Sequence, residues 1–241
     1  MERNEYISYI KSVFEQNSLG DLIDNEKASL FYDLSNLLIE TNKTTNLTAI
    51  TDEKEIILKH FIDCAAVSKL IPEDACVIDI GCGAGFPSLP LAICRPDLSV
   101  TSLDSTGKKI DFVNMAIARL GLNKSKAVCA RAEEFVSESR EVYDACVSRA
   151  VARLNMLAEL CLPFVRVDGT FIAMKSSKGA DELAEAARGV ATLGGRHAET
   201  VKVEFFLEDQ EIQRELQVYV KAKHTPNQYP RKYAQILKKP L

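Results

Sequence analysis

Three segments near the start of the chain carry apolar side chains at helical spacing: 5–15, 28–39 and 52–70. In the first segment Tyr6, Ile10 and Phe14 fall on one side of a helix, because residues three or four positions apart share a face. Each segment is therefore predicted to be an amphipathic helix. Together they predict an N-terminal helical cap over residues 1–72, which ends where Pro72 disfavours helix in the residue before it.

Beyond Pro72, short apolar runs alternate with helical patterns. Five runs are predicted to be strands: 76–79, one ending at Asp104, 126–130, 143–148 and 170–175. The helices between and after them are predicted near Pro87 and over 107–120, 132–136, 154–164 and 178–192. Such alternation predicts an α/β, Rossmann-like fold, a mostly parallel sheet with helices on both faces. Two further strands, 198–207 and 215–224, are predicted to form a hairpin around an acidic turn at 208–211, which gives a sheet of seven strands. This sheet and its helices form the predicted second domain, 73–241.

The turn after the first strand contains an acid and three glycines at alternate positions, all predicted to contact a cofactor: Asp79, Gly81, Gly83 and Gly85. Glycines here allow a tight turn and a close ligand approach, next to free N–H groups at the start of the following helix. The dinucleotide fingerprint is not met, because Phe86 and Ser88 stand where its third glycine belongs. The pattern instead resembles motif I of the S-adenosylmethionine-dependent methyltransferases, with Asp104 placed to bind the ribose hydroxyls. A tight turn without a ligand is the alternative.

In open α/β sheets, ligands bind beyond the carboxyl ends of the strands. Ala132 and Glu133, after the third strand, are placed to recognise adenine through backbone groups and a carboxylate, whereas Glu134 is as easily a first-turn helix charge. Arg149, after the fourth strand, is placed to hold a carboxylate or a phosphate with its planar fork, and a surface ion pair is the alternative. Lys175 follows the fifth strand at the same edge.

The fourth strand ends in the sequence Ser-Arg-Ala-Val-Ala, 148–152. Enzymes that methylate an exocyclic amine commonly resemble one another in an [Asp/Asn]-Pro-Pro-[Tyr/Phe] sequence at this place, which accepts an N–H and stacks the base. This chain lacks that sequence, so its site is predicted to act on a different kind of atom.

The composition limits the cellular location that we expect for the protein and the kinds of metal site and disulfide that it can contain. No run of 18 apolar residues and no signal peptide occur, so we expect a cytoplasmic protein without a membrane anchor. The seven cysteines are spread singly and include no Cys-x-x-Cys pair. We therefore predict neither a metal site nor a disulfide framework, and interpret the cysteines as buried small hydrophobic residues.

The formal net charge is −4, so any contact with nucleic acid has to come from a local basic patch. The C-terminal tail is one such patch, with six cations, two tyrosines and no acid: Lys221, Lys223, Arg231, Lys232, Lys238 and Lys239, with Tyr229 and Tyr233. It is predicted to follow RNA phosphates and to stack bases, and a solvated terminus is the alternative. Arg153, Lys175 and Lys178 are predicted to extend it towards the pocket.

Seven segments spread over essentially the whole chain now identify a family: Asn-Leu-Thr-Ala-Ile (46–50), His-Phe-Ile-Asp (60–63), the glycine segment 79–92, Leu-Asp-Ser (103–105), Arg-Ala-Glu-Glu-Phe (131–135), Ser-Arg-Ala-Val-Ala (148–152) and Tyr-Pro-Arg-Lys (229–232). Together they resemble the bacterial ribosomal RNA small subunit methyltransferase G family, also known as glucose-inhibited division protein B. The resemblance implies a class I methyltransferase that transfers a methyl group from S-adenosylmethionine to N7 of guanine 527, in the 530 loop of 16S rRNA. The implied partner is 16S rRNA or the small ribosomal subunit, and a monomer is expected.

The resemblance also assigns residues. It implies cofactor contacts at Gly81, Phe86, Asp104, Ser105, Thr106, Ala132, Glu133 and Arg149. Asn46, His60 and Asp63 are expected to line the same pocket from the cap, although His60 has the alternative of pairing with Asp63. The predicted catalytic set is Asn46, His60, Arg149 and Lys175. The chain departs from the family pattern at Ser88, and at 233–236, where Tyr-Ala-Gln-Ile replaces Ala-Gly-Thr-Pro.

Guanine N7 has an in-plane lone pair and no proton, so the implied reaction needs no general base. Two other classes of function stay open on the sequence. One is an S-adenosylmethionine-dependent methyltransferase that acts on another RNA, a protein or a small molecule. The other is an assembly factor that binds the cofactor without turnover.

Overall fold

One mixed sheet forms the centre of the protein. The computed structural model describes residues 1–149, 152–176, 180–208 and 210–241. Within them the strands are β1 Cys76–Ile80, β2 Ser99–Asp104, β3 Ser125–Cys129, β4 Tyr143–Arg149, β5 Val165–Ser176, β6 Gly195–Leu207 and β7 Gln210–Lys221. The described strands form a seven-stranded sheet in the order β3-β2-β1-β4-β5-β7-β6. The strands β1 to β5 pair in parallel and β7 pairs antiparallel to both β5 and β6, which confirms the predicted fold class.

The direction in which strands are added reverses at β1. The chain moves outward from β1 to β2 and β3, and then returns to the other side of β1 with β4. Ligands of open α/β sheets bind beyond the carboxyl ends of the strands at such a reversal. The strand ends that meet there include Ile80 of β1, Asp104 of β2 and Arg149 of β4.

Helices cover both faces of the sheet. They are α1 Arg3–Gln16, α2 Asn25–Asn42, α3 Glu53–Ile56, α4 Asp63–Ala65, α5 Ser88–Cys94, α6 Gly107–Leu120, α7 Ala132–Ser139, α8 Leu154–Cys161, α9 Ala180–Thr192 and α10 Tyr233–Lys238. The cap helices share a buried apolar cluster with α5 and α6 on one face, and α7 to α10 contribute to a second cluster on the other. Alternate residues of β1 contact different faces of the sheet, since Ile78 and Ile80 belong to the second cluster while Val77 belongs to a third cluster with Leu91 and Ala92 of α5.

The third predicted helix is helical throughout, but it is not one α-helix. Between α3 and α4 the chain forms a π-helix, Ile57–Ile62, and after α4 a 3-10 helix, Ala66–Leu70. A π-helix is wider than an α-helix, is rare, and occurs frequently at functional sites. An apolar pattern predicts which face is buried but does not distinguish these pitches.

The last two strands are longer than predicted. Because β7 lies between β5 and β6, its backbone has partners on both sides, and pairing with β6 continues from Lys221 to Gln210. The predicted turn 208–211 is therefore wrong in length, since Gln210 and Glu211 belong to β7. Asp209 of that turn, Lys178, and Ala150 and Val151 of the fourth-strand segment lie outside the described residues.

The hairpin formed by β6 and β7 is joined to the first helix of the cap. The Asn17 side chain donates from Nδ2 to the Phe206 carbonyl at 2.9 Å and accepts at Oδ1 from the Phe206 N–H at 2.7 Å. Phe205 and Leu207 are buried in the same apolar cluster as Tyr6 and Phe14. The cap and the end of the sheet thus share a core.

Two of the seven cysteines do not fit the prediction of burial. Cys76 and Cys129 are exposed, because they lie at the start of β1 and at the end of the edge strand β3, while the other five are buried. The described part of the chain contains no group of three or more His, Cys, Asp or Glu that could hold a metal ion. It also contains no helix long and apolar enough to cross a membrane.

Candidate active site

Two adjoining cavities open at the carboxyl edge of the sheet, and both are lined by Gly81 and Asp104. The small cavity, about 210 Å³, is also lined by Ile80, Leu103, Ser105, Ala130, Arg131, Ala132, Glu133, Leu160 and Tyr233. The large cavity, about 930 Å³, lies between the sheet and the cap and includes Thr48, His60, Asp63, Gly83, Phe86, Arg149 and Lys175. The structure thus brings most of the predicted site residues together.

The three glycines of the turn after β1 have different roles. All three have positive φ: 73° at Gly81, 58° at Gly83 and 84° at Gly85. A Cβ at Gly83 would meet nothing within 4 Å, so its backbone is open to a ligand. A Cβ at Gly85 would lie 2.5 Å from Leu89 Cδ1, and Gly85 lines neither cavity. Gly85 therefore allows the turn to pack against α5.

Asp104 organises the boundary between the two cavities. Its Oδ2 accepts from the Gly83 N–H at 3.0 Å, and its Oδ1 accepts from the Thr106 N–H at 2.8 Å. A carboxylate oxygen can accept more than one hydrogen bond, so the side chain can still accept from two ribose hydroxyls. Ser105 lines the small cavity, whereas Thr106 is exposed beside it.

Asp79 is placed beneath the turn and not at the cavity surface. It is fully buried, and its Oδ2 accepts from the Ser88 N–H at 3.0 Å, at the start of α5. Burial raises the pKa of Asp79 to about 7. Its Oδ1 has no hydrogen-bond partner among the described residues. The position suits an acid that fixes the turn and responds to a nearby cation.

Arg149 links the end of β4 to the cap. Its Nη1 donates to the Lys59 carbonyl at 2.9 Å and to Asp63 Oδ2 at 3.2 Å, and its Nη2 donates to His60 Nδ1 at 3.1 Å. Asp63 is only 2% exposed, and Arg214 Nε of β7 lies 3.3 Å from its other oxygen. The alternative that His60 pairs with Asp63 is wrong, because each of these side chains contacts Arg149 instead.

His60 is held as a neutral ring. Burial is the main cause that lowers its pKa to about 3, and the charge of Arg149 lowers it further. A guanidinium can only donate, so Nδ1 must be the acceptor and the proton must be on Nε2, which lies 3.1 Å from Thr48 Oγ1. The ring stacks on Phe86, with centroids 4.4 Å apart and an interplanar angle of 14°.

Asn46 and Lys175 occupy different settings. Asn46 is exposed and lines neither cavity, and it is Thr48, two residues later, that reaches His60. Lys175 lines the large cavity, but its Nζ donates to the Ala152 carbonyl at 2.7 Å and pairs with Glu182 at 2.8 Å.

The basic tail is only partly available to a ligand. Lys221 is fully buried, where its Nζ lies 2.6 Å from the Leu162 carbonyl and 3.0 Å from Glu141. The Arg231 side chain donates two hydrogen bonds to the buried Glu159, at 2.8 and 2.5 Å, and its backbone N–H donates a third at 2.8 Å. The prediction that Lys221 and Arg231 contact phosphates is therefore wrong, because their charges already pair with Glu141 and Glu159. Lys223, Lys232, Lys238 and Lys239 are exposed.

Sequence reasoning missed several residues of the large cavity. Besides Thr48 these are Lys59, Lys109 and Arg214, which join Arg149, Arg153 and Lys175 on its lining. The acids of this lining are Asp63, Asp104 and Glu182. Lys109 lies in the first turn of α6, directly after β2, so its position along the chain could have placed it at the carboxyl edge of the sheet. No feature of the local sequence connects Arg214 with the site. The excess of cations makes the cavity suitable for an anionic ligand.

The strand order, the open glycine turn and an acid at the end of β2 define the class: a Rossmann-like methyltransferase. Among solved structures, M. jannaschii TYW2 in complex with AdoMet has a TM-score of 0.55 at 13% identity, covering 67% of this chain and 75% of that chain. At this identity the likeness is one of fold alone. The residues around the two cavities fit S-adenosylmethionine, since Asp104 retains acceptor capacity and Gly83 offers open backbone.

A family model described as rRNA small subunit methyltransferase G (GidB) matches residues 24–213. Ribosomal RNA small subunit methyltransferase G of Clostridium botulinum (strain Loch Maree / Type A3) is 42% identical over 233 residues, which is 94% of this chain and 97% of that protein. The protein of that name from Desulforamulus reducens is 45% identical over 226 residues, 92% of each chain. The chain belongs to the rRNA small subunit methyltransferase G family, which confirms the resemblance inferred from its motifs.

Proposed function

We propose that this protein transfers a methyl group from S-adenosylmethionine to N7 of guanine 527 in 16S rRNA, acting in the cytoplasm on the RNA or the small subunit. The observation that carries the proposal is the pair of cavities that meet at Asp104, where the order of the strands reverses. The chain that forms this site belongs to the rRNA small subunit methyltransferase G family. The small cavity suits an adenosine, and the large cavity has room for the reacting groups and a base. Its lysines and arginines suit the RNA backbone.

S-Adenosylmethionine, when bound, supplies a methyl group on a positively charged sulfur. Asp104 and the open backbone at Gly83 would hold it, and Arg149 has two N–H groups without an acceptor among the described residues, available for a carboxylate. Phe86 and His60 stack on each other in the lining of the large cavity, where their remaining exposed edges can contact the reactants. These residues orient the reactants, which is where most of the rate enhancement is expected to arise.

No residue has to remove a proton from guanine N7. His60, which lines the cavity, is a poor base because its low pKa leaves little affinity for a proton and its Nδ1 lone pair is occupied by Arg149. The arrangement therefore supports an in-line transfer that relies on position and on a pocket that accepts a cationic product.

We expect the rate of the chemical step at saturating cofactor to change little between about pH 6.5 and pH 8.5. His60 is already neutral throughout this range, because a folded-state pKa near 3 lies far below it. His60→Ala should lower the single-turnover rate by about tenfold, through poorer positioning, without changing the shape of the profile. Rapid-quench single-turnover measurements check this. A log-linear rise with pH that His60→Ala abolishes would contradict the mechanism.

In contrast to the rate of the chemical step, the affinity of the protein for S-adenosylmethionine is expected to depend on pH. Asp79 is partly protonated near neutral pH, since its pKa is raised to about 7, and a cationic ligand favours its charged form. Affinity should therefore rise as the pH increases through 7. Saturating cofactor keeps this effect out of the rate profile.

We expect the exposed tail lysines to contribute to RNA binding and not to chemistry. Replacing Lys238 and Lys239 with alanine should raise the apparent KM for RNA and reduce the slope of log affinity against log salt by about 0.7 per lost phosphate contact. A matched control is the replacement of Lys11 and Lys124, on α1 and at the amino end of β3. Filter binding at several salt concentrations measures both slopes, and equal slopes for the tail variant and the control would contradict the assignment.

The proposed function is tested by mapping N7-methylguanine in 16S rRNA from cells with and without this protein. Purified protein should restore the mark on small subunits or 16S rRNA and release S-adenosylhomocysteine. Methylation of a substrate with 7-deazaguanine at the target position would refute N7 as the acceptor. Methyl incorporation into metabolites or another RNA instead would support a different substrate, and cofactor binding without turnover would indicate an assembly factor.

A further inference from the structure

The C-terminal helix α10 places an aromatic ring on the small cavity. Tyr233, the first residue of α10, lines this cavity with Ala132, Glu133 and Leu160, and it is 37% exposed. The Arg131 guanidinium carbon lies 5.8 Å from the centroid of the Tyr233 ring. A cation at this distance stabilises an aromatic ring in place.

The segment that carries Tyr233 is firmly attached to the body of the protein. Arg231, two residues earlier, forms its ion pair with Glu159 of α8, which is fully buried. Ile236, one turn into α10, is also fully buried, and Arg140 donates to the Tyr229 carbonyl at 2.8 Å. These contacts determine where the Tyr233 ring lies before any ligand arrives.

The walls of the small cavity have the chemistry of a purine site. Ile80, Leu103 and Leu160 are apolar, whereas Asp104 and Glu133 supply carboxylates, and the Tyr233 ring adds an aromatic surface. A flat base gains most from contact with apolar side chains and a ring, with polar groups at its edges.

We propose that the Tyr233 ring is part of the adenine subsite and stacks on the adenine of the bound cofactor. This inference rests on the proposed function, since it takes the small cavity as the adenosine end of the S-adenosylmethionine site. The tail then has two separate roles: its exposed lysines face the solvent, while Tyr233 retains the cofactor. The segment 233–236 is Tyr-Ala-Gln-Ile in this chain, where the family pattern has Ala-Gly-Thr-Pro, so the Tyr233 ring is a departure from that pattern.

The test is calorimetric titration of the full-length protein with S-adenosylmethionine and with 5′-deoxy-5′-methylthioadenosine, which keeps the adenosine but lacks the amino acid group. Tyr233→Ala should weaken both ligands by a similar factor, about fivefold to thirtyfold, because stacking on the base is lost in both. Tyr233→Phe should stay within about twofold of wild type, since the ring remains. Tyr233→Leu, which keeps an apolar side chain without a ring, should resemble Tyr233→Ala.

Leu237→Ala is the matched control, because Leu237 is an exposed apolar residue of the same helix that does not line the small cavity. Its affinity for both ligands should equal that of wild type, and thermal melting should show that all variants fold. Unchanged affinity in Tyr233→Ala, while wild type binds both ligands, would overturn this inference alone. A loss for S-adenosylmethionine only would overturn it as well, by moving the contact to the amino acid end. Failure of wild type to bind either ligand would overturn the proposed function, and this inference with it.

Discussion

Arg149→Ala is expected to lower the free energy of unfolding by about 3 kcal/mol or more and to weaken S-adenosylmethionine binding as well. Among the described residues, the substitution leaves Asp63, 2% exposed, with the 3.3 Å contact to Arg214 as the one ion pair that balances its buried charge. It also removes the donors that hold the Lys59 carbonyl and His60 Nδ1, so the π-helix loses its connection to β4. Urea unfolding followed by circular dichroism measures the stability, and calorimetry measures the affinity.

Arg153→Ala is the matched control for this prediction. Arg153 follows the same strand and pairs with Glu185 at 2.6 Å, but the two side chains are 61% and 48% exposed. A solvent-exposed pair contributes little, so the control should change stability by less than about 1 kcal/mol. Adding Asp63→Asn to Arg149→Ala should recover part of the loss, because the unpaired buried charge is then absent. Similar stabilities for Arg149→Ala and Arg153→Ala would contradict the linking role of Arg149.

Asp104→Ala is expected to weaken S-adenosylmethionine binding by about tenfold to a hundredfold, or ~1–3 kcal/mol. The change removes the proposed acceptor of the ribose hydroxyls and also the acceptor of the Gly83 and Thr106 N–H groups. Asp104→Asn keeps one carbonyl oxygen and should lose less. Calorimetric titration of each variant provides the affinities.

Glu134→Ala serves as the control for Asp104→Ala. Glu134 is exposed in the first turn of α7 and lines neither cavity, so its removal should leave the affinity for the cofactor within about twofold. Unaltered affinity in Asp104→Ala would remove Asp104 from the cofactor site. Glu133, the neighbour of Glu134, does line the small cavity, so Glu133→Ala is expected to weaken the affinity where Glu134→Ala does not.

The sequence was informative where function depends on a local pattern. The glycine turn and the acid at the end of β2 follow each other closely along the chain, so their meeting at the carboxyl edge was predictable from strand and helix periodicity alone. Most of the parallel part of the sheet was predictable for the same reason, since the inner strands β1, β2 and β4 are largely buried on both faces. The edge strand β3 has no buried residue, and only its place after a helix predicted it.

The sequence was uninformative where side chains from distant segments meet. Arg214 of β7 reaches Asp63 of the cap, and no spacing rule connects them. Lys221 looked like part of a basic tail, but the pairing of β7 and the carboxylate of Glu141 place it inside the protein. Asn46 and Thr48 differ by two positions in an irregular segment, where no periodicity decides which side chain faces His60.

The contact between the cap and the closing hairpin has a consequence for how the protein is made. Asn17 and Phe206 are 189 positions apart, and Phe205 and Leu207 fill the apolar cluster that the cap helices begin. A growing chain therefore has the cap helices outside the ribosome long before the side chains that complete their core have been synthesised. Most of this cluster comes from residues 6–120, so only the part of its surface that Phe205 and Leu207 cover stays exposed to water and to other nascent chains until nearly the entire chain has emerged.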